Sequence, residues 1–238
     1  MDFSEMEEQS SSRSRSAVTP SMENYLRHIY NLEREADGWV SNTRLAERLG
    51  VSKPTVTSMF DALAERDLIE REKYRPVRLT EEGRTTALDV VRKHRLVEAL
   101  LVEVFEYDLS EVDSEADVLE HHVSDRLCRE VERVLGMPEL DPHGDPIPDA
   151  NLDVHDEEAT LSLVEAPEGS QVEVTRILSH DDETLDYLVS AGIEPTASLV
   201  LEEKTPVGLI TVAVSETGRQ TSLPESVAAE VLVALVDD

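Results

Sequence analysis

The chain has 238 residues, 39% of them hydrophobic, and carries 52 Asp+Glu against 22 Lys+Arg, a formal charge of −30. That apolar fraction excludes a disordered polyanion and fits a folded protein with a strongly hydrated surface, long enough for one large domain or two to three small ones. The first residues lack the apolar core of a signal peptide and no apolar run approaches the ~18 residues of a membrane span, so a soluble, cytoplasmic protein with no membrane partner is expected.

The acidity is unevenly distributed. Residues 1–95 hold 16 Lys+Arg and 17 Asp+Glu, whereas residues 96–238 hold 6 and 35. A segment kept near neutrality in so acidic a chain is suited to face a polyanion, because phosphate contacts need Lys and Arg. After a tail, residues 1–19, read as disordered, the stretch WVSNTRLAERLGVSKPTVTSMFDALAERDLI, residues 39–69, predicts a helix-turn-helix. Ser41 caps a first helix with Leu45, Ala46 and Leu49 on one face, and Gly50 supplies the left-handed residue that ends it. Ser52 caps a second helix with Pro54 in its first turn, and Val56, Met59, Phe60 and Leu63 form its buried stripe.

LIEREKYRPVRLTEEG, residues 68–83, then reads as strand, turn and strand, with Thr80 capping the next helix. This is a wing, and Arg71, Lys73, Tyr74, Arg75 and Arg78 make it the most basic stretch of the chain. The second helix of the motif offers Ser52, Lys53, Pro54, Thr55 and Ser58 to DNA. None of these is an Arg, Asn or Gln placed for bidentate base contact, so direct readout should be thin and DNA shape should carry much of any sequence preference. Arg71, Lys73 and Arg75 are the expected phosphate or minor-groove contacts of the wing.

A long helix is predicted from Thr85 to Leu109, with His94 and Glu98 at i, i+4, and a second from about Glu115 to Leu135. The second contains Asp117, Glu120 and His121 on one face, and Asp113 lies four residues before Asp117. Spacing alone leaves two readings open, a metal site or surface charge with a satisfied histidine, because roughly one residue in five is a carboxylate. The single cysteine, Cys128, excludes an internal disulfide and a cysteine-based zinc site and reads as a small buried hydrophobe. Beyond the Pro-rich stretch ELDPHGDPIPDANLD, the period changes. SQVEVTRIL, ASLVLEEK and LITVAVS alternate as strands, ETLDYLVSAGI is a short helix, and PVGL and SETGRQ are turns, which together suggest a small barrel.

The elements TPSMENYLRHIYNLE, SKPTVTSM, RKHRLVEALL, EADVLEHHVSD and DPHGDPIP occur in this order across essentially the whole chain. Together they resemble the diphtheria toxin repressor and manganese transport regulator family of metal-dependent repressors. The scarcity of lysine, 4 in all, resembles the composition of haloarchaeal proteins. The family resemblance implies a mainly α architecture: a winged helix-turn-helix over residues 20–88 and a helical metal-binding and dimerisation domain over 89–140. A linker, 141–157, then leads to an SH3-like, FeoA-like small β-barrel over 158–238. It also implies a repressor of metal homeostasis, active as a homodimer on a palindromic double-stranded operator.

By position, Glu120 and His121 match ligands of the family's activating metal site, and Asp117 stands where iron-type members have Cys and manganese-type members Glu. His94 and Glu98 match a neighbouring site, and Asp113 stands where iron-type members have His. Asn24 takes the place of the first helix's Met or Asp, and Arg27 that of a Glu found in manganese-type members. The loop SHDDE offers His180, Asp181 and Asp182, where some longer members lend ligands from the C-terminal domain. Oxygen donors with one or two imidazoles and no thiolate suit Mn(II), with Fe(II) the alternative. Two other readings compete with this one: a winged-helix regulator answering an organic ligand, and a metal-dependent hydrolase. Against the hydrolase, there is no HExxH pattern, no Gly-rich phosphate loop and no separate nucleophile–base pair, so no enzyme is expected.

Overall fold

The computed structural model describes residues 18–35, 38–72, 75–154, 160–179 and 181–236. Residues 1–17 of the expected tail, Lys73, Tyr74 and His180 lie outside the described residues. The chain divides into two units, Met1–Val90 and Val91–Asp238.

In the first unit, α1 (Pro20–Glu35) buries Met22, Leu26, Ile29 and Tyr30 at helical spacing. Ser41 accepts the Arg44 N–H at 3.1 Å and opens α2 (Asn42–Arg48). Gly50 sits at φ 62°, as the turn requires, and Ser52 accepts the Thr55 N–H at 3.3 Å to open α3 (Lys53–Ala64). Val56, Phe60 and Leu63 are the buried stripe of α3, while Met59 is only half-buried. The wing pairs β1 (Ile69–Glu70) with β2 (Arg78–Leu79), and a bridge between Val40 and Val77 adds a third short segment. Glu33, buried on α1, accepts the Leu79 N–H at 2.5 Å and an N–H of Arg84 Nη2 at 2.6 Å. That carboxylate ties α1 to β2 of the wing through a backbone N–H, and to the Arg84 guanidinium.

Thr80 accepts the Gly83 N–H at 3.0 Å, so α4 (Glu81–Phe105) starts and ends about four residues earlier than the periodicity predicts. The single helix expected over 115–135 is instead three elements: α5 (Val112–Leu119), a 3-10 turn (Glu120–His122) and α6 (Asp125–Val134). The break is local chemistry. Val123 is extended, and Ser124 accepts the Leu127 N–H, starting a new helix. In the second unit, Val97, Leu101, Val112 and Ala116 form one small core, and Leu96, Cys128, Val131 and Ile147 another, which gives Cys128 the apolar role expected of it.

The C-terminal part corrects the expected barrel. Its six strands are β3 (Leu161–Ser162), β4 (Gln171–Ile177), β5 (Ser198–Lys204), β6 (Leu209–Val214), β7 (Gln220–Pro224) and β8 (Val231–Leu235). They form one antiparallel sheet in the order β3-β8-β4-β5-β6-β7, and no ladder among the described residues joins β3 to β7. The sheet is open. Closure needs two edges with enough free N–H and C=O groups to pair. Here β3 supplies two residues, and β7 ends on Pro224, which has no N–H, before the chain turns into α8 (Glu225–Ala228). The apolar face is filled by a helix: Leu185, Leu188 and Ala191 of α7 (Asp182–Ala191) share one core with Val172, Val174, Leu199, Leu201, Val212 and Val233.

Candidate metal centre and DNA-binding face

One histidine organises the charged cluster of the second unit. His94 Nε2 lies 3.2 Å from Glu98 Oε1 and 3.2 Å from Asp113 Oδ1. Its other nitrogen, Nδ1, lies 2.7 Å from Glu120 Oε2 and 3.5 Å from Asp117 Oδ1. His121 Nε2 is 3.5 Å from Glu120 Oε1. Helix α4 thus contributes His94 and Glu98 one turn apart, α5 contributes Asp113 and Asp117, and the 3-10 turn contributes Glu120 and His121. Two donor triads result, His94/Glu98/Asp113 and His94/Asp117/Glu120, and His94 stands between them. Asn24 is half-buried on α1 of the first unit.

The electrostatics of this arrangement call for a cation. Glu98 and Glu120 are each 1% exposed and His94 5% exposed. Burying carboxylates is costly unless positive charge is close. Both nitrogens of His94 face carboxylate oxygen, which requires the ring to carry positive charge itself or to give one nitrogen to a metal ion. Donor atoms bound to one ion at about 2–2.5 Å are themselves about 3 Å apart, the separation found here. The donors are oxygen and imidazole nitrogen. Cys128 sits in the apolar core between α4 and α6 and is not among them.

A residue not expected from the sequence joins the cluster. His143, in the stretch read only as linker, is buried with Nε2 3.4 Å from Glu98 Oε1. Burial opposes its charged form, but the adjacent Glu98 carboxylate, with the charges of Asp141 and Asp113, raises its pKa to about 9. Burial likewise pushes Glu98 up, and His94 and His143 outweigh it, holding the carboxyl well below the usual range. Asp141 is pushed up to about 7 by burial, with Asp145 and Glu98 adding and Arg95 and His143 opposing. The signal was present in the sequence as a histidine between proline and glycine, flanked by aspartates, in DPHGD. Of the C-terminal acids considered as ligands, Asp181 caps α7, accepting the Thr184 N–H at 2.9 Å and its hydroxyl at 2.7 Å. Its pKa is lowered by those bonds.

In the first unit Ser52, Lys53, Pro54, Thr55 and Ser58 are all exposed on α3. Several hydroxyls are internally engaged, with Ser52 Oγ 2.7 Å from Thr55 Oγ1 and Ser58 donating to Pro54 O at 3.1 Å. Arg71 turns inward: it donates to Thr57 O at 3.1 Å, pairs with Asp61 at 2.6 Å and lies 5.8 Å from the Phe60 ring centre. It braces the wing on α3. Arg75 is exposed and pairs with Glu72 at 2.8 Å. Between wing and helix runs a groove of about 820 Å³ lined by Asn42, Lys53, Thr57, Asp61, Arg71 and Arg75 among others. At the wing's base Arg78 lies 5.0 Å from the ring centre of Trp39, which is 47% exposed. No helix among the described residues is long and apolar enough to cross a membrane.

Three family models match the chain in succession: "iron dependent repressor, N-terminal DNA binding domain" over residues 17–77, "iron dependent repressor, metal binding and dimerisation domain" over 80–149, and "FeoA domain" over 161–235. The iron-dependent repressor IdeR of Mycobacterium tuberculosis is 36% identical over 211 residues, covering 81% of this chain and 87% of that protein. The diphtheria toxin repressor of Corynebacterium efficiens is 34% identical over 226 residues, covering 90% and 95%. Among solved structures, a manganese-dependent transcriptional repressor in complex with manganese superposes with a TM-score of 0.83 at 36% identity, covering 90% of this chain and 100% of the other. The manganese regulator SloR superposes with a TM-score of 0.76 at 30% identity, covering 92% and 100%. Members of this group repress transcription and are not enzymes. The chain belongs to the diphtheria toxin repressor, IdeR and manganese regulator family of metal-dependent, DNA-binding transcriptional repressors.

Proposed function

We propose that this repressor is switched by Mn(II), with Fe(II) as the second candidate, and that it reads a palindromic operator as a homodimer. The observation that carries the metal choice is the donor set around His94: carboxylates and imidazoles, with the only thiol buried elsewhere. Hard oxygen donors suit manganese, and selection against tighter-binding ions rests on coordination number and on the conformation each stabilises. Asp117, Glu120 and His121 would hold the activating ion, while His94, Glu98 and Asp113 would hold a second, joined by His143. When bound, the ion supplies the positive charge that lets these buried carboxylates stay ionised and close together.

The protein's own part is to convert that charge balance into a DNA-competent shape. Without an ion, α4, α5 and the 3-10 turn carry carboxylates that repel one another, and loosening of this packing competes with the ordered arrangement. The switch is then a population shift whose size equals the ion's preference for the ordered form. The exposed apolar residues Phe105, Val118, Leu127, Val134 and Met137, on or beside α4, α5 and α6, suit a second copy of the chain. A two-fold dimer would present α3 twice, one helical turn of DNA apart, hence the palindrome.

The test uses DNA selected from a random pool by the Mn(II)-loaded chain, at high salt. Binding should be lost with chelator and restored by Mn(II). Activation by Fe(II) alone without oxygen, at lower concentration than Mn(II), would reject the choice of metal. Binding indifferent to chelator would reject the switch itself.

A further inference from the structure

Two arginines flanking His94 reach into the stretch that follows α6. Arg92 donates to Pro148 O and pairs with Glu132, while Arg95 donates to Pro146 O at 2.6 Å and to Asp145 Oδ1 at 2.9 Å. Arg95 Nε also lies 3.3 Å from Asp141 Oδ2. Asp141 Oδ1 accepts the N–H groups of His143 and Asp145, each at 2.9 Å, so the 141–145 loop is closed on itself. Its opposite side meets the sheet. Ile177 of β4 donates its N–H to His143 O at 2.9 Å, and Arg176 lies 3.5 Å from Asp145 Oδ1. Gly144, buried and at φ 86°, lets Thr175 O approach so closely that a Cβ at this position would stand 2.0 Å from it. Leu109, between α4 and α5, packs against the core of the sheet as well.

We propose that the 141–147 loop is a rivet through which the C-terminal sheet sets metal affinity by backbone packing at Gly144, holding His143 against Glu98 without the sheet giving a ligand. The proposal rests on the metal reading of the His94 cluster given above. Its logic is geometric: the peptide that carries the His143 side chain to Glu98 offers its carbonyl to β4, so the sheet and the cluster hold the same residue from two sides. Gly144 is a positioning residue in this scheme. Without a side chain it gives the cluster no side-chain donor, yet it decides whether the loop can lie flat on β4. Because coupling between two events is reciprocal, a rivet that tightens metal binding must itself be tightened by metal.

The experiment uses the full chain stripped of metal, with Mn(II) alone as the probe. Mn(II) affinity is measured by calorimetry, and exchange of the Ile177 amide is followed with and without Mn(II). In the wild type, saturating Mn(II) should slow Ile177 exchange by about tenfold. Gly144→Ala should speed that exchange and weaken Mn(II) binding by about tenfold. Gly169→Ala is the control: Gly169 has a similar φ, 80°, in the same domain, but open space where its Cβ would go, and it should change neither. If Gly144→Ala does not fold, Asp145→Ala, which removes the pairs to Arg95 and Arg176, should move both readouts in the same direction by about threefold. Faster exchange with unchanged Mn(II) affinity would overturn the coupling, leaving Gly144 a purely structural residue. A loss of affinity from Asp182→Ala equal to that from Gly144→Ala would overturn it by showing that the sheet acts through a donor. A wild-type chain that binds no Mn(II) overturns the metal reading, and this proposal with it; Mn(II) binding that leaves Ile177 exchange untouched overturns this proposal alone.

Discussion

The wing surface and the metal cluster treat charge in opposite ways. Around the wing, the ion pairs lie at the surface: Arg75 with Glu72 and Arg78 with Glu70 are half-exposed or more on both partners. In the second unit Glu98, Glu120, His94, Arg95 and His143 are all buried, and each is held by several neighbours. Surface pairs contribute about 0–1 kcal/mol and are screened by salt, whereas breaking a buried charged network costs about 3–5 kcal/mol. The difference teaches where sensitivity should lie. The wing surface can lose a charge cheaply, but the metal cluster, like the buried Glu33 under the wing, cannot.

The largest expected effect comes from the buried side of that comparison. Glu120→Ala or His121→Ala should weaken Mn(II)-activated DNA binding by about 100-fold, while Glu103→Ala, on the exposed side of α4, should leave it within twofold. Equal losses from all three, read in one Mn(II) titration of the selected DNA, would reduce the cluster to general electrostatics. Next comes the ion itself. Mn(II) at about 100 times its Kd should stabilise the native chain by about 2.7 kcal/mol against thermal unfolding, and chelator should remove this. The first unit's signal should shift far less, which a two-transition melt can show.

Third is Arg71, the one wing arginine that behaves like the second unit's charges. Arg71→Ala removes the hydrogen bond to Thr57 and the pair with Asp61, so DNA affinity should fall by about tenfold, roughly 1.4 kcal/mol, with metal binding unchanged. Arg75→Ala should be smaller, about threefold, and should lower the log–log salt slope of DNA binding by about 1 without altering sequence preference. If Arg75→Ala proves the more damaging of the two, the contrast between braced and exposed arginines is wrong. The overall slope should also be shallow for a repressor, because residues 1–95 are nearly neutral. A slope near −10 would contradict that.

Local chemistry was legible in the sequence and long-range closure was not. Ser41, Gly50, Ser52 and Pro54 each act within four residues, and the helix-turn-helix they imply is the one observed. Ser124 is the same kind of signal, but apolar periodicity ran across it and hid the break between α5 and α6. Strand β8, VLVAL, is apolar throughout although its burial alternates, with Val231 and Val233 buried and Leu235 exposed, and such an uninterrupted apolar run does not distinguish strand from helix. The barrel expected from strand count depended on pairing between the first and last strands of the sheet, which no local pattern reports. The carboxylates around His94 were nameable from spacing and resemblance. His143 was not, because its partner Glu98 lies 45 positions earlier and the stretch around it has the composition of a connector.

Trp39 is the chain's sole tryptophan, so every photon of indole emission comes from the base of the wing. A half-exposed ring with a guanidinium nearby gives a red-shifted spectrum that changes when water or Arg78 moves. Any response of that spectrum to Mn(II) in the absence of DNA would be news from one unit arriving in the other, detected without a label.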